Sequence, residues 1–170
     1  MKPRHILVPL DLSQGKTDTL LHLQRMAEEG PVCATLLSVV ELNIAPSDRR
    51  LYPELCKEAR SHLAVLSRIY FGHEGAARLC VRVGRADQEI LAEARYCQSE
   101  LILMSSSRPR RWHQLFRSRT VERVVQFAPC PTLVLPLSWS GAAARRDEPA
   151  SVEASPRRAR SFPHPTWADA

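Results

Sequence analysis

The chain has 170 residues, 44% of them hydrophobic, which is enough for one buried core of ordinary domain size and too little for two full domains. No apolar run approaches the roughly 18 residues that cross a bilayer, and Met1-Lys2-Pro3-Arg4 passes straight into a short apolar run, so a soluble, unexported, cytoplasmic protein is expected. The net charge of +6 is carried largely by two arginine clusters, Arg108 to Arg123 and Arg145 to Arg160, which makes an anionic partner plausible for either.

Ile6-Leu7-Val8-Pro9-Leu10 is a short apolar run that breaks at Asp11, and it reads as a strand. Ser13 is an N-cap residue ahead of Leu20, Leu23 and Ala27 at helical spacing, so a helix is expected to start there. Gly30-Pro31 stops that helix. Val32 to Val40 then runs apolar without interruption, the pattern of a strand buried on both faces. Leu42 to Tyr52 reads as a loop, and Pro53 opens a helix with Leu55, Ala59, Leu63, Leu66 and Tyr70 at spacings of three or four until Gly72.

A third strand is expected over Arg78 to Val83, ending at Gly84, and a third helix over Ala86 to Cys97 with Ile90, Leu91, Ala94 and Cys97 on one face. Leu101 to Met104 forms a compact fourth strand. Ser118 or a neighbour caps a helix carrying Val121, Val124, Val125 and Ala128, and Pro129-Cys130-Pro131 breaks it before a fifth strand, Thr132 to Leu135. Five strands alternating with four helices imply a parallel sheet covered on both faces. Ligands of such sheets bind beyond the carboxyl ends of the strands, which groups Asp11, Val39 to Glu41, Gly84 and Ser105 to Arg108 around one crevice.

Beyond this region the composition changes to Ala, Ser, Arg and Pro, and Pro149, Pro156, Pro163 and Pro165 would interrupt any helix. The division expected is a folded domain over 1–137 and a disordered tail over 138–170, either merely solvated or an arginine-dependent interaction segment. The five cysteines are scattered, odd in number and without a C-x-x-C pair, as suits core thiols in a reducing compartment. The six histidines show no metal-ligand spacing, and Ser105, Ser106 and Ser107 lack the G-x-S-x-G context of a hydrolase, so neither a metal nor an enzymatic activity is expected.

Taken together, ILVPLDLS (Ile6 to Ser13), LLSVVE (Leu36 to Glu41), VRVGRADQEILAEA (Val81 to Ala94), ELILMSS (Glu100 to Ser106) and VERVVQFAPCPTLVLP (Val121 to Pro136) make the chain resemble the universal stress protein family. The resemblance covers roughly residues 3–137 and leaves out the tail. It implies a flavodoxin-like three-layer α/β sandwich with strand order 3-2-1-4-5, and a dimer, for which the edge strand Thr132, Leu133, Val134 and Leu135 is the expected contact.

Some members of that family bind ATP through G-x-x-G, nine residues, then G-[S/T]. Laid on this sequence, the three glycines fall at Ser105, Arg108 and Ser118 and the hydroxyl residue at Arg119, so all four positions are changed. Glycine lets backbone N–H groups approach phosphate oxygens and permits positive φ, and an arginine in the same place both strains the turn and fills the phosphate volume. Ser118 is gentler, since it can cap the helix, but its hydroxyl then competes for the N–H groups an anion would use. No cofactor is therefore expected.

Three functional readings remain on this basis: a non-catalytic dimeric stress protein, an ATP or other anion switch using the loop arginines, and an adaptor binding nucleic acid or an acidic protein through loop and tail. Guanidinium groups bind phosphate without glycine geometry, which keeps the second open, whereas no nucleic-acid motif supports the third. By the resemblance, Asp11 and Val39 are the residues that approach adenosine in ATP binders. Asp11 is also an ordinary turn residue after a strand, and Gly84 serves equally well to let the chain turn.

Overall fold

The computed structural model describes residues 4–14, 17–41, 50–72, 77–105 and 119–135. Within them, strands β1 (Arg4–Pro9), β2 (Val32–Glu41), β3 (Arg78–Gly84), β4 (Leu101–Ser105) and β5 (Thr132–Leu135) alternate with helices α1 (Asp18–Glu29), α2 (Tyr52–Phe71), α3 (Ala86–Tyr96) and α4 (Arg119–Phe127). The sheet is fully parallel with order β3-β2-β1-β4-β5, the three-layer sandwich expected from the sequence.

Strand β1 lies at the centre, paired with β2 on one side and β4 on the other, and this explains its uninterrupted apolar character. Ile6, Leu7 and Val8 have no exposed surface. Ile6 and Val8 pack with Leu20 and Leu23 of α1 and Leu63 and Phe71 of α2, while Leu7 packs with Ile90, Leu91 and Ala94 of α3 and Val121 and Val124 of α4. The alternation of a strand thus feeds two separate cores, one beneath each helical layer.

Several boundaries moved for identifiable reasons. β1 begins two residues earlier than expected because the Arg4 backbone N–H reaches the Pro31 carbonyl at 3.1 Å and extends the ladder with β2. Ser13 does not cap α1. It lies in a short 3-10 turn (Leu12–Gln14), and α1 starts at Asp18, where the N–H groups of Leu20 and Leu21 both reach the Thr17 carbonyl. α2 ends as its sequence foretells: Gly72 takes φ 87°, and its N–H bonds the Arg68 carbonyl at 3.0 Å, a left-handed cap that suits glycine.

Of the valines on α4, Val121 and Val124 enter the core, whereas Val125 is 44% exposed. The five cysteines are free thiols at half-buried positions, with Cys80 and Cys130 packed against the core. The tail expected over 138–170 lies outside the described residues.

Helix α3 is fastened by charge as well as by apolar contact. Glu93 has no exposed surface, and both its carboxylate oxygens are taken by β3: Arg78 Nη1 donates to Oε1 at 2.7 Å, and Arg82 donates to Oε2 through Nε at 2.7 Å and through Nη2. The hydrogen bond to Glu93 is the largest influence raising the Arg82 pKa above its ordinary value. Arg78 also stacks over the Tyr96 ring at 5.3 Å from its centroid.

A candidate ligand crevice at the strand ends

Parallel strands that turn into helices leave their last residues around a common hollow, and here the hollow is a cavity of about 670 Å³. Its base is formed by the ends of β1, β2 and β4, through Leu10, Leu37, Val39 and Met104. One wall is α2; the other combines the first turns of α3 and α4, through Ala86, Ile90, Thr120 and Val121.

Five of the residues grouped from the sequence meet in this cavity: Asp11 after β1, Val39, Val40 and Glu41 at the end of β2, and Ser105 at the end of β4. Asp11 is exposed, and its Oδ1 accepts hydrogen bonds from the Ser13 N–H at 3.1 Å and the Ser13 hydroxyl at 2.6 Å. It therefore performs the turn role open to it from sequence while still facing the crevice. Val39 is half-buried and gives the base an apolar surface.

Gly84 and Arg119 fall outside the cavity lining. Gly84 is buried at the end of β3, opposite Glu41, with extended backbone at φ 159°. A Cβ there would meet Glu89 Oε1 at 2.7 Å, so the Glu89 side chain uses the space that glycine leaves. Arg119 is exposed as the first residue of α4, and it is the next residue, Thr120, that reaches the cavity. Arg108 and Ser118 lie outside the described residues.

The two helical starts that wall the crevice are tied together by a buried acid. Asp87, in the first turn of α3 and 5% exposed, pairs with Arg85 at 3.2 Å and with Nε of Arg123 in α4. Sequence reasoning passed over Asp87, as it did Glu93, because an acid in a helix is ordinarily solvated. The signal was that Glu93 falls beside Ala94 on the apolar face headed by Ile90, with Arg78 and Arg82 at alternate positions of the preceding strand. The α2 wall was missed as well: Glu58 and His62 both line the crevice.

Among the described residues there is no group of three or more His, Cys, Asp and Glu side chains able to hold a metal ion, and no helix long and apolar enough to cross a membrane. His5 is engaged structurally, with Nδ1 toward the Cys97 carbonyl at 2.5 Å and Nε2 toward the Thr35 hydroxyl at 2.9 Å.

The universal stress protein family model matches residues 2–136 of the chain. Among solved structures, the universal stress protein UspA from Lactobacillus plantarum superposes with a TM-score of 0.63 at 20% identity, covering 79% of this chain and 99% of that one. A universal stress protein family member from Burkholderia pseudomallei gives 0.57 at 22% identity over 78% of this chain and 95% of its own. The universal stress protein from Archaeoglobus fulgidus, solved in complex with dAMP, gives 0.54 at 18% identity over 79% and 98%. At these identities the likeness is one of fold. No curated protein matches the chain.

Proposed function

Because the chain belongs to the universal stress protein family, we propose that it is a non-catalytic cytoplasmic stress-response protein, acting as a homodimer and not holding ATP by a glycine loop. The observation that carries this reading is a mismatch. The strand-end crevice keeps Asp11, Val39 and Ser105 around it, yet the sequence places Ser105, Arg108, Ser118 and Arg119 where a phosphate-binding loop needs glycines and a hydroxyl. A cradle made of backbone N–H groups requires close approach without Cβ atoms, and these side chains remove that access.

Support for the dimer comes from β5. It forms one edge of the sheet, so one row of its backbone groups faces away from β4, and Leu133 on it is 37% exposed. A second copy pairing through Thr132, Leu133, Val134 and Leu135 would cover both features.

The deciding experiment is calorimetric titration of magnesium ATP into the full chain at about 0.15 M salt, where diffuse charge attraction is screened. No heat at millimolar nucleotide is the expected result, and micromolar binding would overturn the reading.

An anion switch is the second reading, favoured by the size of the crevice, about 670 Å³, which suits a small-molecule ligand. The dAMP complex of the Archaeoglobus relative belongs to the same fold. In this reading the loop arginines replace the glycine cradle, and Arg108→Ala weakens nucleotide binding; unchanged or stronger affinity in that variant removes it.

A further inference from the structure

None of the described residues lining the crevice is a lysine or arginine, yet two arginines stand one step behind its wall. Arg85 directly precedes Ala86, and Arg123 follows Thr120 by three residues, one turn along α4; Ala86 and Thr120 both line the cavity. Both guanidinium groups are turned onto one carboxylate. Oδ2 of Asp87 accepts from Nη2 of Arg85 at 3.2 Å and pairs with Nε of Arg123, which also lies over the Phe127 ring, 5.8 Å from its centroid.

Burial is unequal among the three side chains, and this decides which of them depends on the others. The Asp87 side chain is 7% exposed, against 59% for Arg85 and 46% for Arg123. The enclosed acid is tolerable because it is paired, whereas the cations keep enough water to remain charged without it. Asp87 also lies in the first turn of α3, where unbonded backbone N–H groups and the helix dipole favour negative charge. Two guanidinium donors at a helix start are the surroundings that favour an oxyanion, and here a tethered carboxylate fills them.

We propose that Asp87 is an autoinhibitory counter-ion, a built-in substitute for an oxyanion that keeps Arg85 and Arg123 from anionic ligands of the crevice. A phosphate is turned away twice: its charge meets the Asp87 carboxylate, and the donors that would hold it are already engaged. Removing the acid releases both cations beside Ala86 and Thr120. A merely structural ion pair would instead give a less stable variant with no new affinity. The inference deepens the reading of the crevice as closed to phosphates and rests on it. Magnesium ATP on the unaltered chain tests that reading, and the ratio of variant to wild-type affinity tests this one.

The experiment is an NMR titration of the full chain with inorganic phosphate at about 0.1 M salt, following the amides of Ala86 and Thr120. Wild type is expected to show no saturating shift up to roughly 10 mM. Asp87→Asn, which keeps the shape and loses the charge, is expected to bind phosphate at least about tenfold more tightly, with both amides moving. Asp87→Ala is expected to bind at least as well, and Arg123→Ala added to Asp87→Asn to abolish the gain. Equal phosphate affinity in wild type and both variants overturns the proposal. So does a gain that survives Arg123→Ala, or one whose shifts spare Ala86 and Thr120. Loss of the folded state in both variants overturns it too, since Asp87 would then be a structural tie alone.

Discussion

Arg78 on the edge strand β3 donates to Glu93 of α3 at 2.7 Å, and the acid that receives it has no exposed surface. A carboxylate so enclosed is tolerable only because Arg78 and Arg82 occupy both its oxygens.

Replacing Glu93 tests that dependence. Glu93→Ala removes three charge-assisted hydrogen bonds and leaves a void, while the two arginines, being partly exposed, recover water. The expected loss is about 2–3 kcal/mol by urea denaturation, with Glu93→Gln costing less. A loss below about 0.5 kcal/mol for Glu93→Ala would show that the triad contributes nothing net.

Leu103 sits in the interior of β4 with no exposed surface and belongs to the core beneath α1 and α2. Leu103→Ala is expected to cost about 3 kcal/mol in thermal or urea unfolding, since a cavity there has little freedom to collapse.

The edge strand yields a prediction about association. Wild-type chain is expected to sediment as a dimer at roughly 10 μM, and Leu133→Lys, which puts a charge on the exposed side of β5, as a monomer. A wild-type monomer at that concentration would end the edge-pairing proposal.

Acid sensitivity follows from His22. Burial is the largest influence lowering its pKa below the ordinary 6.5, Arg25 adds to it, and Glu29 opposes both. A histidine depressed in the folded state is neutral there while the unfolded chain still takes up a proton, so its contribution is full above 6.5 and is lost as pH falls below it. Urea midpoints measured from neutral pH downward should fall less steeply in His22→Gln than in wild type; identical slopes would exclude His22 as a source.

Burial pushes the thiols of Cys33, Cys80, Cys97 and Cys130 above their ordinary range, and at Cys80 the charge of Glu93 adds to it. Fewer thiolates form at neutral pH, so alkylation by iodoacetamide, followed residue by residue by mass spectrometry, should run at least about tenfold slower in native than in urea-unfolded protein. Equal rates would contradict the burial seen here.

The sheet was legible because a strand buried on both faces is apolar along nearly its whole length: β1 obeys this from Ile6 to Val8, and β2 from Val32 to Leu37 with the single polar member Thr35, whose hydroxyl is bonded to His5 Nε2. The start of α1 was not legible. Ser13 is a good cap by type, but Asp11 captured its hydroxyl, and which of two local hydrogen bonds forms is settled by the turn rather than by composition. For the crevice, strand-end logic brought together Asp11, Val39 and Ser105. It gave no hint of Glu58 and His62, because helix α2 is brought to the crevice by its packing on β2 and β3.

The central place of β1 has a consequence for the order in which the molecule can be made. β1 is made before the other four strands, β2 soon pairs along one edge of it with β3 added beyond β2, and its other edge must wait for β4, which begins at Leu101. During that interval the growing chain carries an uncovered strand of its most apolar sequence, Ile6-Leu7-Val8. Synthesis speed between Gly84 and Leu101 therefore sets how long a sticky half-sheet exists, and chaperone demand should concentrate in that window.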